Sequence, residues 1–186
     1  RDDVESRGLG DVYKRQMMNS EELFPIVDEA GNVTGSATRR ECHGGSMLLH
    51  PVVHLHVIMP GAGLYLQKRS CDKDIQPGKW DTSVGGHVDY GEAVVDALRR
   101  EAREELGLRD IEPIALSPYV FESSRERELI NPFYVYVDES TAIVPDPEEI
   151  TEGRFWSAGE IDGSIGKGVF TPNFEQEYQL IKQYIK

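Results

Sequence analysis

Three glutamates within one helical turn carry the strongest chemical signal in this sequence. They sit in the run Arg100-Glu101-Ala102-Arg103-Glu104-Glu105. A spacing of i, i+3 and i+4 sets all three carboxylates on one face of a helix, where like charges cost roughly 0.2–0.5 kcal/mol per pair. Helix propensity therefore gives no reason to gather them. A divalent cation does. Hard carboxylate oxygens on a rigid element suit Mg²⁺ or Mn²⁺, ions that keep several waters and take further oxygens from a substrate phosphate. The competing reading is a solvated acidic face, the usual meaning of a charge run.

The elements that must position these groups are legible on either side. Good helix formers run from Ala93 through Glu105, with no Pro or Gly before Leu106. Gly107 stands where a left-handed residue ends a helix. On a helical wheel Val95, Leu98, Ala102 and Leu106 form an apolar stripe for the core, while Arg99 and Arg103 face water. Arg100, four residues before Glu104, is placed to brace it. Upstream, Gly85-Gly86-His87-Val88-Asp89-Tyr90-Gly91-Glu92 reads as a tight loop feeding the helix.

From Gly86 to Leu108 the spacing resembles the signature of the Nudix hydrolases: Gly, five residues, Glu, seven residues, Arg-Glu, a small or aliphatic residue, any residue, Glu-Glu, any residue, Gly, an aliphatic. Gly86, Glu92, Arg100, Glu101, Glu104, Glu105 and Gly107 fill the fixed positions, and Ala102 and Leu108 the apolar ones. The resemblance implies an α/β fold, an α/β/α sandwich around a mixed β-sheet, and Mg²⁺- or Mn²⁺-dependent hydrolysis of a small nucleoside-diphosphate derivative or related diphosphate. It further implies Glu101 and Glu105 as principal metal ligands, Glu104 as a third ligand or the general base, and the Gly85 carbonyl as another ligand. Gly86, Glu92, Arg100 and Gly107 would be structural. One more glutamate from a later loop is expected, with Glu128 and Glu126 as candidates and Glu122 behind them.

Two other stretches, Val27–Glu41 and Leu64–Glu92, resemble the isopentenyl-diphosphate-isomerase-like branch of the same superfamily. The isomerase carries a catalytic Cys in a Ser-Val-Cys-Gly-His context, whereas this chain reads Ser83-Val84-Gly85-Gly86-His87. Gly85 has no side chain for that proton chemistry, so hydrolysis is favoured over isomerisation. His87 matches an isomerase metal-binding His, and here is a candidate for a metal or substrate contact. An isomerase-like enzyme and a non-catalytic nucleotide-sugar-sensing module stay open as alternatives.

The remaining chain supplies the frame. Leu23–Asp28 and Val33–Thr38 read as two strands around a turn, and Met47–Met59 as a strand with Val53, Leu55 and Val57 on one face and His54, His56 and Ile58 on the other. His54 and His56 could share an ion or hydrogen-bond to neighbours. Leu64–Arg69 is its hairpin partner, and Lys68 and Arg69 at its end are candidates to hold a diphosphate. Trp80–Val84 reads as one short strand delivering Gly85. Ile111–Leu116, Tyr119–Phe121, Leu129–Val137 and Gly153–Trp156 are further strands, with Pro132 hinting at a bulge or an edge. Thr171-Pro172 opens an amphipathic closing helix over 172–185, carrying Phe174, Tyr178, Ile181 and Ile185.

Composition bounds the rest. With 186 residues the chain suits one domain, taken as 17–186. Residues 1–16 hold four acidic and four basic side chains without an apolar period, and are read as an extraneous disordered leader. Met17 or Met18 is the candidate start. A net charge of −13 argues against nucleic-acid partners. Cys42 and Cys71 fit free thiols and no zinc spacing. No stretch suits a membrane span or a secretory signal, so the expected setting is cytoplasmic, with a small diphosphate as partner and a homodimer in keeping with the family.

Overall fold

A computed structural model describes residues 21–71, 76–147 and 149–185. The leader and both candidate start residues lie outside them, as do residues 72–75 of the loop before Trp80.

The chain opens with a hairpin, β1 (Leu23–Val27) and β2 (Val33–Thr38), followed by the short helix α1 (Arg39–Cys42). Thr38 caps α1 through a capping box with Glu41. Next come β3 (Leu49–Met59), β4 (Gly63–Arg69), β5 (Trp80–Asp81), β6 (Val84–His87) and the helix α2 (Val94–Leu106). After it run β7 (Ile114–Ala115), β8 (Tyr119–Glu122), β9 (Arg127–Tyr136), β10 (Ile150–Trp156), α3 (Ala158–Asp162) and α4 (Pro172–Ile181). The main sheet runs β10-β4-β3-β9-β7, with β5, β6 and β8 pairing to β4, β3 and β9. It is mixed: β3 and β9 are parallel over Leu49–Ile58, and the other pairs are antiparallel.

Period-two alternation in β3 builds two cores. Val53, Leu55 and Val57 pack with Ala97, Leu98, Ala102 and Leu106 of α2. Ile58 on the opposite face packs with Leu64, Leu66, Phe174, Tyr178 and Ile181 beneath α4. The helix–sheet–helix sandwich follows from that alternation. Thr171 caps α4, accepting from the Phe174 N–H, with Pro172 in the first turn.

Three details differ from the sequence reading. Val95 is exposed and Ala97 is buried. The core-facing side of α2 is rotated toward Ala97 and Glu101, which draws carboxylates toward the interior. The β3–β4 hairpin is bonded only at Ile58–Met59 with Gly63–Leu64, after which the strands diverge. Trp80–Val84 is accordingly not one strand: β5 follows β4, β6 follows β3, and Thr82 and Ser83 cross between them. Their hydroxyls replace the missing ladder, Ser83 Oγ donating to Tyr65 O and accepting from Val57 N, and Thr82 Oγ1 donating to Leu55 O. Finally, Pro132 lies inside the sheet without a bulge, between the reach of β8, which ends at Ile130, and that of β7, which begins at Phe133. A residue with no N–H is tolerated where the neighbouring strand changes.

Candidate active site

The divergence of β3 and β4 puts the glycine pair of β6 beneath α2. The helix ends as its sequence requires, with Gly107 left-handed at φ 66°. Arg100 clamps the loop to it. Its Nε and Nη2 donate to both oxygens of Glu92 at 3.0 and 2.9 Å, and Nη2 also donates to the His87 carbonyl at 3.0 Å. Glu92 Oε2 in turn accepts from the Asp89 N–H. The bidentate pair lowers the Glu92 pKa and raises that of Arg100.

The three box carboxylates divide by depth. Glu105 faces the sheet, taking hydrogen bonds from Gln67 Nε2 at 2.9 Å and from the Gly85 N–H. Burial and the neighbouring Glu101 and Glu149 charges push its pKa up to about 8. Glu101 is partly buried and bonded to Arg100 at 2.7 Å. Burial pushes it up to about 7, with Glu104 and Asp89 adding to the rise against the Arg100 charge. A Cβ on Gly86 would collide with the Glu101 carboxyl group, so the glycine is what lets that side chain lie against the loop. Glu104 is exposed, 3.5 Å from Arg100. Two carboxylates that resist ionisation side by side form a donor set suited to a divalent cation, which removes the repulsion.

A second cluster lies at the other end of β6. His43, His50 and His87 offer nitrogens that all lie within 4.8 Å of one another. His43 Nε2 and His87 Nε2 are 3.0 Å apart, and Glu126 Oε2 is 3.8 Å from His43. Burial holds all three rings below the usual histidine range, His43 at about 4. The His43–Glu126 contact is thus no ion pair at neutral pH. His50 bonds the Leu48 carbonyl through Nδ1 and leaves Nε2 buried without a partner. A neutral ring oriented through one nitrogen with the other orphaned fits a metal ligand.

Around these clusters the candidates from sequence separate. Arg69 pairs with Asp81 at 3.1 Å, and its charge reaches Glu126 and Glu128. Lys68 turns instead to Glu152 at 3.4 Å and to the Trp80 ring. Glu128 is partly buried, within reach of the charges of Glu126, His54, Asp81 and Arg69, and loss of solvation raises it to about 7. Glu149 is the later carboxylate whose charge acts on Glu105. His87 stacks on Phe24 at 4.4 Å. His54 and His56 bond opposite oxygens of Glu177 at 2.7 and 2.6 Å, and Tyr119 joins at 2.8 Å. Sequence reasoning missed His43, Glu149 and Glu177. Only the apolar period of α4, which places Glu177 beside Tyr178 on the buried side, offered a signal for any of them.

A family model described as the NUDIX domain matches residues 48–174. The chain belongs to the Nudix hydrolase family. An uncharacterized Nudix hydrolase of Streptomyces coelicolor is 29% identical over 169 residues, covering 90% of this chain and 92% of its own. An isopentenyl-diphosphate Delta-isomerase of Agromyces mediolanus is 30% identical over 174 residues, covering 89% and 84%. Among solved structures, DR0079 from Deinococcus radiodurans superposes with a TM-score of 0.71 at 23% identity, over 87% of this Nudix chain and 98% of that one, a likeness of fold.

Proposed function

We propose that this Nudix protein hydrolyses the pyrophosphate linkage of a small nucleoside-diphosphate derivative or related diphosphate, using Mg²⁺ or Mn²⁺ held at Glu101 and Glu105. The observation that carries the reading is the pair of inward-turned carboxylates set against Gly85 and Gly86, with pKa values of about 7 and about 8. A cation bound there offsets the negative charge of the diphosphate and activates water. Glu101 and Glu105 hold it, and the Gly85 carbonyl is a further candidate donor. Arg100 and Glu92 fix the loop, and Gln67 fixes the Glu105 carboxylate. Exposed Glu104 takes the proton. The water oxygen bonds to one phosphorus, the bond from that phosphorus to the bridging oxygen breaks, and the proton passes to Glu104.

The test is product release from a panel of nucleoside-diphosphate sugars, dinucleoside polyphosphates and nucleoside triphosphates, with Mg²⁺ and with EDTA. Turnover that stops in EDTA and falls at least about a hundredfold in Glu105→Gln supports the reading, since even residues that only orient a ligand are worth 10–100-fold. Undiminished turnover in that variant overturns it.

The histidine cluster with Glu126, together with the isomerase relative, favours a second reading: an isopentenyl-diphosphate isomerase-like enzyme. Gly85, which stands where that enzyme carries its thiol, weighs against it. Deuterium uptake from D₂O into isopentenyl diphosphate in the presence of Mn²⁺ distinguishes the two, and none is expected.

A further inference from the structure

The outer flank of α2 gathers positive charge that the fold does not use. Arg39, Arg69, Arg100, Arg127 and Arg154 each pair with a carboxylate. Arg99, Arg103 and Arg109 are exposed and form no ion pair or side-chain hydrogen bond among the described residues, although the chain carries 33 acidic side chains. Arg40 and Arg125 also lack an ion pair, but only the first three line a common cavity, of about 480 Å³. Buried Leu108 and Ile111 line it too, with Asp110 and Glu112. Neither of these carboxylates pairs with a guanidinium. Each arginine therefore keeps its fork of donors for solvent or for a ligand.

The cavity is separate from the carboxylate site. Arg99 and Arg103 each stand two positions before one of the inward-turned carboxylates, Glu101 and Glu105, and two positions are roughly 200° around a helix. They flank α2 on the side away from Gly85 and Gly86. The C-terminal end of a helix normally disfavours an anion. Here its carbonyls are occupied: Ala102 O and Arg103 O accept from the Leu108 and Gly107 N–H groups, and Glu105 O and Leu106 O from those of Asp146 and Val144.

We infer that this cavity is a second, non-catalytic binding site for a polyphosphate chain, inorganic or borne by a nucleotide. Guanidinium forks match phosphate oxygens two at a time. Three guanidiniums outnumber the two carboxylates, so the balance of charge favours an anion. Asp110 and Glu112 weigh against a small anion that meets one arginine alone, and favour a ligand long enough to engage all three. The volume lies in the range of small-molecule sites. The inference does not depend on the hydrolase reading.

Calorimetric titration with sodium tripolyphosphate and, separately, with ATP tests it, at low salt and in EDTA so that no cation occupies the carboxylate site. Saturable binding is expected. Arg103→Gln should weaken it about tenfold, the scale of one charge-assisted hydrogen bond, and Arg109→Gln in the same chain about tenfold again. Both positions are exposed, so the fold should hold. ATP bound no more tightly than tripolyphosphate assigns the site to the phosphate chain alone, and tighter binding of ATP assigns it to a nucleotide. In ¹⁵N spectra of the wild-type protein the amides of Leu108, Arg109 and Ile111 should move while those of Gly85 and Gly86 stay. Binding of both compounds weaker than about 1 mM overturns the inference. So does binding that the paired variant leaves unchanged, or movement confined to the Gly85 and Gly86 amides. None of these outcomes bears on turnover of the substrate panel in Mg²⁺, which tests the hydrolase reading on its own.

Discussion

At the scale of single residues, the site is defined by groups held away from their preferred protonation states. Glu101 and Glu105 have folded pKa values of about 7 and about 8, above the ordinary carboxylate range. A carboxyl group with a raised folded value binds more protons folded than unfolded, so its contribution to stability falls as pH rises from about 4.5 toward 8. In EDTA, thermal scans should show the melting temperature dropping across that interval, and Mg²⁺ should restore more of it at pH 8 than at pH 6. An equal Mg²⁺ effect at both would separate the cation from these two groups. His54 behaves oppositely. Desolvation opposes its charge, but Glu177 prevails and raises it to about 9, while the same contact holds Glu177 below the ordinary range. The pair therefore contributes fully between about pH 4.5 and 6.5. Its contribution fades as pH climbs through 9 or falls through the lowered Glu177 value. Glu177→Leu, which leaves both imidazoles without their acceptor, should cost about 3 kcal/mol in urea denaturation at pH 6. A loss below about 1 kcal/mol would mean that the network contributes little to stability.

At the scale of elements, what could be read in advance was what lies close together in the chain. The loop from Gly85 to Glu92, the helix Val94–Leu106 and its Gly107 stop are contiguous, so composition and spacing expose them. The phase of the helix was less legible. Val95 fits an apolar stripe on a wheel, yet the sheet meets the face carrying Ala97 and Glu101. The histidine cluster stayed hidden because His43 follows α1, His50 is the second residue of β3, His87 ends β6 and Glu126 precedes β9. Glu177 reaches His54 across 123 positions, a separation that no local pattern records. Two glycines give predictions at this scale. Gly107→Ala forces a side chain into a left-handed residue and sets its Cβ 3.3 Å from Val144 Cβ. Destabilisation of about 1–2 kcal/mol is expected in chemical denaturation. The three atoms nearest a Cβ on Gly86 all belong to the end of the Glu101 side chain, so in Gly86→Ala the fold should persist while Mg²⁺-supported turnover collapses. Wild-type turnover in Gly86→Ala would show that Glu101 need not lie against the loop.

At the scale of the whole molecule, two helical layers enclose a mixed sheet whose third and fourth strands part to admit the glycine loop. Among the described residues no helix is long and apolar enough to cross a membrane. A chain of net charge −13 that is to receive a diphosphate must neutralise charge locally. Arg69 supplies part of that, and the proposed cation the rest. The most direct test is anomalous diffraction from crystals soaked with Mn²⁺ and methylenediphosphonate. A manganese peak within coordinating distance of the Glu101 and Glu105 carboxylates, shared with a phosphonate oxygen, is the predicted result. Manganese confined to the histidine cluster, with both carboxylates unoccupied, would contradict it.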